Sequence, residues 1–134
     1  YFRVLRYDLI PDSCGAGKHR GGLGAIREYE FLKDNVDMTV YSDRFKYPAR
    51  GSHGGHDGAP AFLTIYRKDG TIEHMRPKGH AILNAGDRMI MGLGGGAGYG
   101  NPMERPIALV EKDIRQKKIT LEKAKELYGY GERE

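Results

Sequence analysis

The sequence predicts an α+β fold: a β-rich domain of antiparallel hairpins joined by glycine-rich loops and followed by a C-terminal helical tail. Three observations predict it. Short runs of β-favouring or alternating residues recur up to Met91. Glycine-dense stretches interrupt those runs, in a chain of 134 residues that holds 20 Gly. Beyond Pro106 the apolar residues change to helical spacing. The expected division is residues 1–103 for the β-rich part and 104–134 for the tail packed on it.

Phe2 to Ile10 reads as a strand ended by Pro11-Asp12-Ser13. Cys14 to Gly24 is a glycine-rich loop with three basic side chains, Lys18, His19 and Arg20. Such a loop is either a solvated turn or an anion contact through Lys18 and Arg20, since basic groups beside exposed amides form anion-binding concavities. Ile26 to Leu32 and Val36 to Val40 alternate on either side of Lys33-Asp34-Asn35, which predicts a hairpin. Ala61 to Arg67 and Thr71 to Met75 flank Lys68-Asp69-Gly70, whose Asp-Gly pair is the strongest turn signal in the chain. Asp87 to Met91 is a further short strand.

The strand at Met91 leads into Gly92-Leu93-Gly94-Gly95-Gly96-Ala97-Gly98-Tyr99-Gly100-Asn101-Pro102. Gly94, Gly95, Gly96 and Gly98 are expected to serve a close backbone approach, with positive φ at one or more of them. Gly92, Gly94 and Ala97 fit a degenerate dinucleotide fingerprint. No helix opens directly after these glycines, no Lys-Ser or Lys-Thr closes a phosphate loop, and no βαβ unit surrounds them, so a shaped connection is the favoured reading. In the tail, Ile107, Val110 and Ile114 share a helical face, with Pro106 suited to a first helical position. Thr120 caps a second helix in which Leu121, Ala124 and Tyr128 share a face, and Gly129 stops it.

An apolar share of 39% without Trp implies a thin core, and docking on a larger partner is a natural way to complete its burial. The formal charge is +4, but 22 basic and 18 acidic residues are well mixed, and the aromatics do not interleave with a basic stripe. No nucleic-acid partner is therefore expected. Cys14 is the only cysteine, which rules out an intrachain disulfide and fits a reducing cytoplasm. No long apolar span predicts a membrane segment.

Candidate chemistry is sparse. The connection from Ser42 to Pro60 carries Arg44, His53, His56 and Asp57. Two imidazoles and a carboxylate can ligate zinc or manganese, yet without a fixed frame the reading favoured is polar loop side chains that meet solvent or a partner, with no metal on this chain. Cys14 near His19 does not make a nucleophilic site, because neighbours in a loop need not converge. The catalytic residues are unknown at this level. The residues expected at an interface or channel are Lys18, Arg20, Arg44, His53, His56, Gly94, Gly95, Gly96, Gly98 and Tyr99.

Three stretches taken together resemble the C-terminal region of the hydantoinase B family: Arg6 to Gly24, Ser42-Asp43-Arg44 with its glycine-rich continuation, and Gly94 to Pro102 with Glu104-Arg105. That family includes the corresponding large subunits of acetone and acetophenone carboxylases and the matching half of 5-oxoprolinase. Cys14 stands where the family usually has Gly, and Asn101 where it usually has Asp before Pro. The family's metal-binding acidic and histidine motifs lie far upstream of the resembling region.

The resemblance implies an ATP-dependent hetero-oligomer in the cytoplasm. A hydantoinase A-like subunit phosphorylates a carbonyl or enol oxygen, and the hydantoinase B-like part brings the activated species to a metal site for ring opening or carboxylation. It implies that ATP, Mg and a divalent metal, Mn or Zn, are held by other subunits, the second partner being a truncated hydantoinase B-like large subunit. If the chain is complete, the expectation is the small subunit of an acetophenone carboxylase-type complex. If it is a piece, a hydantoin or oxoproline hydrolase stands nearly level with the carboxylase, and a stand-alone β-rich binding module is the alternative outside enzymes.

Overall fold

The structure, a computed structural model, describes residues 1–133. Seven strands precede two helices: β1 Phe2–Leu9, β2 Ala25–Phe31, β3 Val36–Tyr41, β4 Phe62–Tyr66, β5 Ile72–His74, β6 Lys78–Leu83, β7 Arg88–Gly92, α1 Ile107–Arg115 and α2 Leu121–Tyr128. A five-stranded antiparallel sheet runs in the order β1-β2-β7-β4-β5, and β3 pairs with β6 in a separate two-stranded sheet. The α+β class and the antiparallel pairing expected from the sequence are both observed.

The two sheets pack face to face. Phe31 of β2, Leu63 and Ile65 of β4 and Met89 of β7 meet Val40 of β3 and Ala81 and Leu83 of β6 in one buried cluster. Alternation along each strand explains which residues turn inward. β1 needs a correction to keep phase. Phe2 and Val4 stand opposite Phe31 and Tyr29, a register shift falls between Val4 and Arg6, and Tyr7 and Leu9 then stand opposite Arg27 and Ala25. The bulge keeps Phe2, Val4, Tyr7 and Leu9 on the core-side face.

The predicted hairpin between Ile26–Leu32 and Val36–Val40 does not form. β2 has both edges taken, by β1 and β7, so Lys33-Asp34-Asn35 carries the chain to the second layer, where β3 pairs with β6. The crossing is pinned by Ala85 N donating to Asp34 Oδ1 at 3.0 Å and Asn35 N donating to Asn84 Oδ1 at 3.1 Å. Facing apolar surfaces across two layers bury more than an isolated edge-to-edge pair would. The Asp69-Gly70 turn is as expected: Gly70 has φ +92°, and Thr71 N donates to Asp69 Oδ1 at 2.8 Å between β4 and β5.

At one end of the sheets the three glycine-rich segments, residues 13–24, 49–61 and 92–101, lie side by side as a bundle of non-strand chains. They are tied by backbone hydrogen bonds: Gly15 N to Gly96 O at 2.8 Å, His56 N to Ala16 O at 2.7 Å, Gly98 N to His56 O at 2.9 Å and Ala59 N to Ser13 O at 2.8 Å. The expected close approach is present. A Cβ on Gly95 would lie 1.7 Å from Ser13 O, and one on Gly98 would lie 2.0 Å from Ala16 O. The logic is that of a collagen axis, where only hydrogen fits between chains. The expectation of positive φ fails for Gly94, Gly95, Gly96 and Gly98; the left-handed glycines are Gly54 and Gly100 at the bundle's turns. Proximity, rather than backbone handedness, excludes side chains from the interior.

The helices close over the other side of the bundle. Val110, Ile119, Ala124 and Tyr128 bury against Ala16 in a second core. Pro106 is the N-cap of α1 rather than its first residue. Thr120 caps α2 by accepting from Lys123 N at 3.2 Å, and Gly129 ends it with φ +62°. Leu121, placed on the same face in the sequence reading, is exposed instead.

Gly98→Ala is therefore expected to cost about 1–3 kcal/mol or more, by overpacking backbone that cannot move aside. Gly22→Ala, where nothing lies within 4 Å of the added carbon, should stay within about 0.5 kcal/mol of wild type. Urea unfolding of both variants checks this, and equal midpoints would contradict it.

Candidate functional site at the end of the glycine bundle

Backbone pairing inside the bundle brings three side chains to one exposed end. His19 and Tyr99 exchange backbone hydrogen bonds at 3.0 and 2.9 Å, and Ser52 N donates to Gly98 O at 3.1 Å beside them. The His53 ring then sits 4.6 Å from the Tyr99 ring, centroid to centroid, and the His19 ring 6.2 Å from it. His53 reaches this position with φ +52°. Lys18 lies at the same end, its Nζ 3.3 Å from Glu104 Oε2, with both groups exposed. The outcome is a solvent-facing aromatic and basic surface on a base of closely packed glycine backbone.

Other residues singled out in the sequence fall elsewhere. Arg20 does not face solvent: its Nε and Nη2 donate to the two carboxylate oxygens of Asp113 at 2.8 and 2.9 Å. Arg105 Nη2 donates to Asp113 Oδ2 at 2.8 Å, and its Nη1 to Lys18 O at 3.1 Å. A buried carboxylate between two guanidiniums thus fastens α1 to the glycine-rich segment. This occupies Arg20 and removes it from the anion contact considered above. Arg44 has φ +66° and donates to Pro48 O at 3.3 Å in the loop after β3. His56 takes part through its backbone, Asp57 Oδ1 accepts from Gly51 N at 2.8 Å, and Gly94 to Gly98 form the bundle interior.

Among the described residues no group of three or more His, Cys, Asp or Glu is placed to hold a metal ion. The His53 ring packs against Tyr99 at a 38° tilt and Asp57 is held by Gly51, so the donors near the bundle do not fit the divalent metal that the resemblance implies for the complex. Burial pushes the Cys14 thiol above its ordinary value despite the nearby Arg20, which keeps it protonated and unreactive. A wide, open cavity lies away from this end, against Arg67, Glu73, Asn84 and Asp87. Its polar wall is internally satisfied, with Asp87 accepting from Lys68 N, Asn84 N and Arg67 Nη1 at 3.0, 3.0 and 2.9 Å. No helix of the described residues is long and apolar enough to cross a membrane.

Three features escaped the sequence reading. His19 stood out there as a basic loop residue and a neighbour of Cys14, while its pairing with Tyr99 depends on segments eighty residues apart in number (19 and 99). Asp113 carried a usable signal, since it falls three residues after Val110 on the buried side of α1. β6 carried one too, since Ala81 and Leu83 alternate with exposed Lys78, His80 and Ile82.

The sequence profile described as Hydantoinase B/oxoprolinase matches residues 2–102. The chain belongs to that family. It is 39% identical over 132 residues to a protein of Pseudomonas sp. (strain NS671) provisionally assigned as the B-type subunit of a D-/L-hydantoinase, covering 95% of this chain and 22% of that protein. The beta subunit of the caprolactamase of Pseudomonas jessenii is 33% identical over 135 residues, covering 94% of this chain and 22% of the relative. The crystal structure of the ATP-dependent caprolactamase of that organism superposes with TM-score 0.79 at 30% identity, over 96% of this chain and 23% of that one. Nucleotide-free acetone carboxylase superposes with TM-score 0.78 at 18% identity over 96% of this chain and 21% of that one, a likeness of fold. The chain thus spans about one fifth of the length of these relatives.

Burial raises the Asp113 pKa, but hydrogen bonds and charge from Arg20 and then Arg105 outweigh it, and the net shift is below the usual 3.8. A lowered folded pKa means stabilisation that is complete above that usual value and is lost as pH falls from it through the folded value. Asp113→Asn is expected to cost about 3–5 kcal/mol at pH 7, where two buried guanidiniums lose their counter-charge. The deficit relative to wild type should shrink below about pH 4 as wild-type Asp113 protonates. Urea midpoints at pH 7 and at pH 3 measure both parts; a deficit that does not change with pH would show that the charge is unimportant.

Proposed function

We propose that this chain completes the hydantoinase B-like part of an ATP-dependent multi-subunit enzyme and does not catalyse alone. The observation that carries the reading is the 39% identity to a hydantoinase B-type relative along nearly the whole chain, which amounts to 22% of that relative. The share is too small to represent the whole protein, yet it has two cores of its own. The partners proposed are a hydantoinase A-like subunit that binds ATP and a truncated hydantoinase B-like large subunit, in a cytoplasmic hetero-oligomer. ATP, Mg and a divalent Mn or Zn belong to those partners, and no step is assigned to a metal on this chain.

Within that frame the identities favour a cyclic-amide-opening complex. Hydantoin and caprolactam are both ring amides, and the relatives named for them are 39% and 33% identical to this chain. A ketone carboxylase of the acetone or acetophenone type, with this chain as its small subunit, is the second reading; the acetone carboxylase superposition supports it at the level of fold. In either chemistry ATP activates a carbonyl oxygen as a phosphate ester. That species survives only where bulk water is excluded until it reaches the next site.

A bundle whose interior is backbone is suited to wall such a passage, because it has no long side chains to fluctuate into it. We assign Lys18, His53 and Tyr99, with His19, to the seam between subunits. Arg44 and His56 belong to the loops flanking it, and Gly94, Gly95, Gly96 and Gly98 form its base. Arg20 contributes indirectly, by holding α1 against the bundle through Asp113.

The test is purification of the complex from its native source with identification of the co-eluting chains. ATP turnover is then measured with hydantoin or caprolactam, and separately with a ketone and bicarbonate. The isolated chain should turn over no ATP. Tyr99→Ala should lower activity of the complex at least about tenfold, a loss of roughly 1.4 kcal/mol, while leaving the melting temperature of the chain unchanged. Full activity of a complex lacking this chain would refute the reading.

A further inference from the structure

The second layer of the sandwich is incomplete. Five strands at about 4.8 Å spacing lie under two. β6 sits over the β4–β5 side, where Arg67 Nη1 donates to Ile82 O at 2.6 Å. β3 lies above β7 and β2, and beyond it an apolar cleft opens between Met38 of β3 and Phe2, Tyr29 and Phe31 below. The core-side residues of β1 are only partly covered, Tyr7 by the Arg27 guanidinium 4.6 Å from its ring centroid: Phe2, Val4, Tyr7 and Leu9 are 53%, 55%, 66% and 50% exposed.

Among the described residues, the edge of β3 that borders this face is unpaired. Ser42 N donates to Pro77 O at 2.8 Å in register with the β3–β6 ladder, so Val36, Met38 and Val40 direct their backbone groups to β6. Asp37, Thr39 and Tyr41 therefore present amides and carbonyls to the open side. A hydrogen-bonding edge runs along one wall of the cleft, and an apolar floor lies beneath it. Together they define a slot for an extended strand with alternate apolar residues turned down.

We propose that this slot receives a β-strand from the remaining part of a hydantoinase B-type polypeptide, which becomes the third strand of the β3–β6 sheet and covers β1 and β2. The proposal rests on the reading that the chain completes such a subunit. About four fifths of the relatives' length lies outside this chain, which supplies the occupant. A second copy does not fit. Two-fold antiparallel pairing of β3 with its copy would drive the copy's own β1 and β2, which extend past β3 in the lower layer, into the same space as these.

The experiment is hydrogen exchange on the chain alone and in its complex with the rest of the hydantoinase B-like polypeptide, together with two edge variants. Thr39→Pro removes an outward amide on β3, and His80→Pro removes one on the far edge of the same sheet. Both residues are exposed, and the His80 Nε2–Asp37 Oδ1 contact at 2.8 Å that His80→Pro also removes is itself solvent-exposed, so both variants should fold. In the complex, exchange at Asp37, Thr39 and Tyr41 should slow at least tenfold. Thr39→Pro should raise the dissociation constant at least tenfold, and His80→Pro should leave it unchanged. A complex in which those amides exchange as in the free chain and Thr39→Pro assembles normally would overturn the strand while leaving the proposed function standing. Protection of the same amides in a homodimer would overturn the occupant. Absence of any complex would overturn both.

Discussion

The constraint on which the rest of the structure depends is the distance between backbones in the glycine bundle. Three chain segments approach until their peptide groups bond directly, as Gly15 N does to Gly96 O and Gly98 N to His56 O. One of those segments follows β7 and leads toward α1, another leads out of β1 and into β2, and the third precedes β4. Fixing them against each other sets where the strands begin and where the helices attach. The inter-sheet core and the helical core lie on opposite sides of this junction and share no residue. The bundle is what makes them one body.

A carboxylate reinforces the junction on the helical side. Asp113 spans the gap between α1 and the first glycine-rich segment by holding Arg20 and Arg105 together. Replacing such a buried ion group with apolar residues of equal volume is often harmless, whereas removing one member strands the others. Its value lies in geometry. Arg105 also bonds to Lys18 O, so the same cluster that seats the helix positions the loop bearing Lys18 and His19.

What was legible in the sequence was local. Asp69-Gly70 announced its turn, Thr120 and Gly129 announced the ends of α2, and Phe2 to Ile10 announced the strand observed at Phe2–Leu9, because each signal is complete within a few residues. Pairing was less legible. β2 and β3 are neighbours in sequence with good alternation, but β2's edges are claimed by β1 and β7 from afar, and β6, the true partner of β3, is a modest run beginning Lys-Gly-His. Arg20 looked like a free cation because its counter-charge lies ninety-three positions away on a helix. The glycines were recognised as permitting close approach, but nothing local shows whether a glycine is needed for its φ or for its missing Cβ. Only the neighbouring chain, Ser13 against Gly95 or Ala16 against Gly98, decides that.

The bundle's composition also shapes how the molecule responds to temperature. A hydrophobic core weakens on cooling because apolar hydration carries a large positive heat capacity of unfolding. Exposing peptide groups contributes to heat capacity with the opposite sign. A junction made of glycine backbone, with hydrogen bonds where other proteins have side chains, therefore adds little to the curvature of the stability profile. It holds firm in the cold, when the thin cores on either side of it are losing their grip.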